Sequence, residues 1–202
     1  MKKLTIITIF AIIILANMYA NTDKLLADLR AKYDTVKTFE ADLNQTTFIS
    51  ALNITTNSSG ILLIDNDVCV LEFTKPMRQF LKVEKNVLTM YLESENTAMI
   101  HDGFNGNFGI FNLSDFVNHQ NEFEFLKEEN GFSVFKVKKL REPNLKITMH
   151  INPTSTLIAK VIMEQASGEL TTIELNNQRF NQKLSKKVSD YVVPNGATII
   201  KN

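Results

Sequence analysis

The sequence predicts a mainly β fold of the α+β class: one antiparallel sheet too long to stay flat, curled into a barrel or half-barrel, with an N-terminal helix packed against it. Three observations predict it. A single amphipathic helical stretch is followed by about ten short runs with strand patterning. Turn sequences such as EKN, EENG, NPTST and ASGE separate many of those runs at distances too short for crossover helices. The 202 residues, 44% of them hydrophobic, suit one domain with a sizeable core, and no repeat or linker divides them.

The chain opens with MKKLTIITIFAIIILANMYA, a basic start, an apolar run from Leu4 to Ala16 and a small residue at Ala20. The apolar run is short for a membrane span and matches the core of a signal peptide. Cleavage is expected after Ala20, leaving one domain over 21–202; the alternative is an uncleaved N-terminal anchor. The short, Ile-rich leader looks bacterial, and the chain is expected to be exported. No cysteine stands at the cleavage site to carry lipid, and the lone Cys69, in VCVLEF, reads as a buried thiol.

Residues 23–36, DKLLADLRAKYDTV, place Leu25, Leu26, Leu29, Tyr33 and Val36 at helical spacing, with Thr22 or Asp23 as N-cap. TFEADLNQ then alternates with Phe39, Ala41 and Leu43 on one side. GILLID and VCVLEFT follow, joined by the hairpin turn in DNDV, and QFLKV pairs with VLTMYL. After residue 122 come FEFLK, GFSVFKV, LKITMHIN, LIAKVIMEQ and LTTIEL. LKITMHIN alternates cleanly, with Ile147 and Met149 on its apolar side and His150 on the polar one.

Between these groups lies HDGFNGNFGIFNLSDFVNHQ, loop-like in its glycines and core-like in its phenylalanines. The residues that qualify as its apolar side are Phe104, Phe108, Ile110, Phe111, Phe116 and Val117. One helix and this segment are all that is available to cover what the sheet does not bury itself. With partial or movable cover, Phe39, Leu43, Leu62, Phe80, Leu88, Met90, Leu92, Ile147 and Met149 would line an apolar cavity. Met77, Met99 and Met163 would add adaptable lining; complete cover would make the same residues an ordinary core.

Nothing in the sequence forms a catalytic or metal site. There is no GxSxG elbow, HExxH, CxxC, calcium loop or glycine loop for phosphates. His101 and His119 read as loop residues. Removing a leader with Lys2 and Lys3 leaves 20 basic against 22 acidic residues, which gives no reason to expect nucleic acid. The chain is expected to be a binder with no cofactor, not an enzyme.

Five segments in register resemble the LolA family of periplasmic lipoprotein carriers: VKTFEADLNQ from Val36, GILL from Gly60, FTKP from Phe73, LKVEKNVLTMY from Leu81 and YVVPNGATI from Tyr191. The resemblance covers nearly the whole chain after the leader. It implies an unclosed antiparallel barrel around a hydrophobic cavity under a helical lid, with the Phe-rich segment as the lid. It further implies a monomer that takes acylated lipoproteins from an ATP-driven inner-membrane transporter of the ABC type and hands them to an outer-membrane acceptor. In the family an arginine shortly after the glycine-led strand holds lid carbonyls; here Asn66 and Asp67 stand there. A module that senses or binds a partner, or carries another lipid, is the alternative.

Overall fold

A computed structural model describes residues 21–104, 117, 122–138 and 144–201. The leader lies outside them. Helix α1 runs through residues 21–34. Twelve strands follow: β1 (Thr38–Ile49), β2 (Ile54–Asp65), β3 (Val68–Lys75), β4 (Gln79–Glu84), β5 (Val87–Leu92), β6 (Thr97–Asp102), β7 (Phe123–Glu129), β8 (Phe132–Val137), β9 (Leu145–Asn152), β10 (Leu157–Gln165), β11 (Glu169–Phe180) and β12 (Thr198–Lys201).

All twelve belong to one sheet in the order β12-β6-β5-β4-β3-β2-β1-β11-β10-β9-β8-β7. Every pairing is antiparallel except β12 with β6. The sheet is thus two meanders joined where β11 pairs with β1, and it does not close: β12 and β7 are its two ends. Of the barrel or half-barrel that the strand pattern leaves open, this is the unclosed half-barrel, the form that the family resemblance implies.

The tight turns follow from local chemistry. Lys85-Asn86 and Asn130-Gly131 all have positive φ, the two-residue geometry that matches strand twist. The sequence pattern misses β6 and β12 and stops β1 and β2 short of their shared tip, because TTFISALNITTNSS carries too little apolar alternation to announce strands. His101, expected in a loop, is on β6. Thr22 and Asp23, expected to cap α1, lie inside it, since the helix is already formed at residue 21.

Side chains on one face of the sheet meet α1. Leu25, Leu29 and Tyr33 pack with Phe39, Leu43, Leu62, Phe135, Met149 and Ile173 in the main core. Burying such side chains contributes about 1.5–3 kcal/mol each. The Tyr33 hydroxyl donates to Gln178 Oε1 at 3.2 Å and accepts the Ile158 N–H at 3.3 Å, so its polar end is satisfied inside. Desolvation raises its pKa, and the phenol stays neutral.

The opposite face is strapped by residues 181–197. Val188 packs on Leu63 and Val70. Two buried carboxylates hold the strap: Glu40 accepts from Arg179 and from the Ser185 amide and hydroxyl (2.7 and 2.6 Å), and Glu72 accepts from Lys186 Nζ (2.5 Å) and the Tyr191 hydroxyl (2.6 Å). Burial pushes both carboxyls up, but the donated hydrogen bonds and facing cations outweigh it and hold both below the ordinary glutamate value of 4.5. Depressed folded-state pKa values mean stability that is present above that value and is lost as pH falls through the folded ones. Thermal melts from pH 6 down to 3 should therefore show a destabilisation below about pH 4.5 that Glu40→Gln plus Glu72→Gln removes. A double variant with the same acid dependence as the parent would show that the strap is not held by these charges.

Candidate functional site: an apolar inner face

Three cross-strand rungs build the site. Phe39, Ile64, Cys69, Val83 and Leu88 stand opposite one another from β1 to β5. Ala41, Leu62, Leu71, Leu81, Met90 and Met99 form the next rung, and Leu43, Gly60, Phe73, Gln79 and Leu92 the third. Directly paired residues share a face, so these side chains are on the α1 side. Beyond β1, Ile147, Met149, Val161, Met163 and Ile173 continue the same surface.

Eight of the nine residues expected to line a cavity are therefore on this one face. Phe80 is not. Its register partners are Glu72 and Tyr91, and its ring packs edge-on against Tyr191 at 5.6 Å, under the C-terminal strap. The alternation in QFLKV carries the signal: Lys82 faces outward, so Phe80 does too, and Leu81 and Val83 are the inward pair that sequence reasoning missed. It also missed Leu71, Cys69, Phe135 and Val161, each being part of a run apolar on both sides. Among the five methionines that follow the leader, Met77 lies exposed in the β3–β4 turn, away from the apolar face.

The inner face has two unequal halves. Residues of β1, β2 and β8–β11 are sealed by α1, and Phe39, Leu43, Leu62, Ile147 and Met149 are all at most 1% exposed. On β4–β6, Leu81, Val83, Leu88, Met90, Leu92 and Met99 are only half-buried, and Leu88, Met90, Leu92 and Met99 stay outside the main core cluster. This second half is an apolar surface with no charged residue on its middle rung. Cys69 sits at its border, free and buried, its thiol pushed up by desolvation and inert as a nucleophile.

No protein-family model matches the chain, and no curated protein sequence matches it. Among solved structures it is similar to an uncharacterized conserved protein from Thermus thermophilus, at 11% identity over 90% of this chain and 99% of that one, with a TM-score of 0.57. MucB is similar at 10% identity, 90% of this chain, 66% of that chain and a TM-score of 0.50. A LolA superfamily protein of Nitrosomonas europaea gives 12% identity, 82% and 98% coverage and a TM-score of 0.45. At these identities likeness speaks for the fold.

The five sequence segments that resemble the LolA family are spread over this sheet. They fall on β1, on the inner part of β2, at the end of β3, on the β4–β5 hairpin, and on the strap leading into β12. The fold is LolA-like, in a divergent form.

The segment between β6 and β7 is the one expected to form a lid. Phe108, Ile110, Phe111 and Phe116 lie outside the described residues. Phe104 and Val117 are described, and both are buried, Val117 against α1 in the main core.

At the expected latch position, the described contacts of Asn66 are local. Asn66 is a turn residue with φ of 50°; its N–H bonds the Lys37 carbonyl and its amide donates to Asp65 at 2.9 Å. A hydrogen bond to the segment between β6 and β7 comes from α1, where Arg30 Nε donates to the Val117 carbonyl at 3.3 Å with its guanidinium 5.8 Å from the Phe123 ring centre. Nothing in the helical pattern marks Arg30, since an arginine at the edge of an apolar stripe is ordinary. Arg30→Ala should speed amide exchange near residue 117 by about tenfold, the equivalent of one charged hydrogen bond, while leaving β1 and β11 amides unchanged. Unchanged exchange near Val117 would remove Arg30 as a tether.

Proposed function

We propose that the protein is a periplasmic carrier that binds the acyl chains of lipoproteins on its inner face and ferries them from the inner to the outer membrane. The observation that carries this reading is the half-buried apolar surface of β4–β6, continuous with a dry core and adjoined by a Phe-rich segment. A sixteen-carbon chain exposed to water costs on the order of 12 kcal/mol at about 0.8 kcal/mol per methylene. A surface of leucine, valine and methionine offsets that cost without direction or sequence preference, which lets one site serve many cargoes sharing an acyl anchor.

The mechanism asks little else of the chain. Arg30 and the buried Val117 hold one part of the lid segment to α1, and cargo must displace apolar contacts that the empty protein makes with itself. Loading is then a competition between two apolar packings, and a lid of this kind moves only as far as the cargo's differential affinity drives it. No catalytic step is needed, so we read the protein as a binder, not an enzyme.

The test is release. Inner-membrane vesicles carrying labelled lipoproteins and an active ABC-type releasing transporter are mixed with the purified protein, and a soluble one-to-one complex with lipoprotein should form. Release that fails here, while the same vesicles load an authentic LolA, would overturn the reading. A second reading, a sensor or interaction module, draws on the likeness to MucB; it gains if a periplasmic protein partner binds equally well after the inner face is blocked.

A further inference from the structure

From Leu43 to Ile64 the chain contains no charged residue, in a protein where 22% of residues are charged. This run is the outer part of the β1–β2 hairpin. It projects: β3 pairs with β2 only from Ser59 onward, so Ile54–Ser58 have β1 as their sole strand neighbour among the described residues. Its tip is exposed and apolar, with Leu52 at 64% and Ile54 at 46%. Beside it on β11, Leu170 pairs with Phe48 and is 39% exposed, and the β10–β11 turn touches the tip, since a Cβ on Gly168 would meet Ser50 Oγ at 2.1 Å. Met77, 58% exposed, is in the β3–β4 turn at the same end of the sheet. Four of the eight exposed large hydrophobic side chains among the described residues thus lie at one end.

We propose that this end is a docking surface for the lipid bilayer interface, with the hairpin tip entering the headgroup region. Exposed leucine and isoleucine in water are unfavourable, and a folded chain has many ways to avoid them. Here they stand on a ribbon whose backbone is paired through Ile49 and Ile54; the outer edge of Ile54–Ser58 has no strand partner, and the hydrated headgroup region, unlike the acyl core, still supplies hydrogen bonds to it. The residues around them are threonine, asparagine and serine, neutral groups that hydrogen-bond to headgroups. The excluded residues are the charged ones, which are costly in a membrane and useful in a protein interface, where arginine and complementary charge give specificity. The hairpin has no cation, and the charges nearest to it on its β3 side are Lys75 and Arg78, which flank Met77 in the adjacent turn, so the tip itself is suited to zwitterionic lipid and does not require an anionic one. Glu169, paired with Ile49 at the neighbouring turn, places one carboxylate at the base of the tip, where it accepts from Gln165 and Thr171. No helix among the described residues is long and apolar enough to cross a membrane. The inference rests on no part of the carrier reading.

The sequence has no tryptophan, which makes the test direct. Protein lacking residues 1–20 and bearing Leu52→Trp is titrated with protein-free phosphatidylcholine vesicles, with Val192→Trp, on the exposed C-terminal strap, as the reference probe. The expected result is a blue shift of indole emission from the Leu52→Trp protein and none from the Val192→Trp protein. Co-sedimentation with the same vesicles should fall roughly tenfold or more when Leu52 and Ile54 are both replaced by aspartate, with unchanged thermal melting. No emission shift, or equal sedimentation of the double variant, overturns the proposal. A shift seen only with native vesicles that contain membrane proteins also overturns it, and assigns the tip to a protein partner.

Discussion

Gly60→Ala should cost about 3 kcal/mol or more of folding stability and lower the melting temperature by roughly 6–12 °C. The reason is a backbone approach. A Cβ at Gly60 would lie 1.8 Å from the Glu72 carbonyl oxygen and 2.8 Å from the Phe73 Cα, and neither can rotate away as a side-chain end would. The β2–β3 register shifts at this point, Ser59 pairing with Lys75 and Gly60 with Phe73, so β3 bends across the space a side chain would need. Gly60 also sits on the rung that joins Leu43 to Leu92, so a displaced β3 would carry the open half of the inner face with it. Gly131 is the comparison: its φ is 81° with nothing within 4 Å of an added Cβ, so Gly131→Ala meets only backbone strain of about 1 kcal/mol. Chemical denaturation of the two variants separates the effects. A loss at Gly60 no larger than at Gly131 would mean that the close approach is not there in solution.

How much of the fold and the site is legible in the sequence depends on whether one period carries the information. LKITMHIN and VLTMYL have a clean alternation or a clear turn at one end, and that is enough to place Ile147, Met149, Leu88, Met90 and Leu92 on the correct face. In QFLKV, side-chain size promotes Phe80, although the single lysine already fixes the faces. The β1–β2 tip, β6 and β12 are hidden for a different reason: their pairing is stabilised by neighbours far along the chain, and their own side chains alternate weakly. The buried pairs Glu40 with Ser185 and Glu72 with Lys186 are not legible at all. A carboxylate within a strand is equally consistent with solvent, and only the path of residues 181–197 decides that these two are buried. The same is true of Arg30, whose partner is 87 residues away.

Leu88→Asp combined with Met90→Asp should reduce affinity for acylated cargo by about a hundredfold or more while leaving the protein folded. The asymmetry of the inner face gives both halves of this expectation. Phe39 and Met149 are fully buried beside α1, so a carboxylate there would have no water and the domain would unfold. Leu88 and Met90 are half-buried and outside the main core, so in the empty protein their aspartates can stay hydrated. An acyl chain lying along β4–β6 would strip that water, at a cost of about 1–3 kcal/mol for each group. The matched control is Thr89→Asp, one residue away on the same strand but on the outer face beside Lys82, and it should bind normally. Equilibrium titration with a fluorescent lipopeptide measures the affinity, and circular dichroism follows the fold. Affinity within about twofold of the parent would show that cargo does not use this half of the sheet. Unfolding of the pair would show that Leu88 and Met90 are core residues, and the open apolar surface from which the carrier reading starts would be gone.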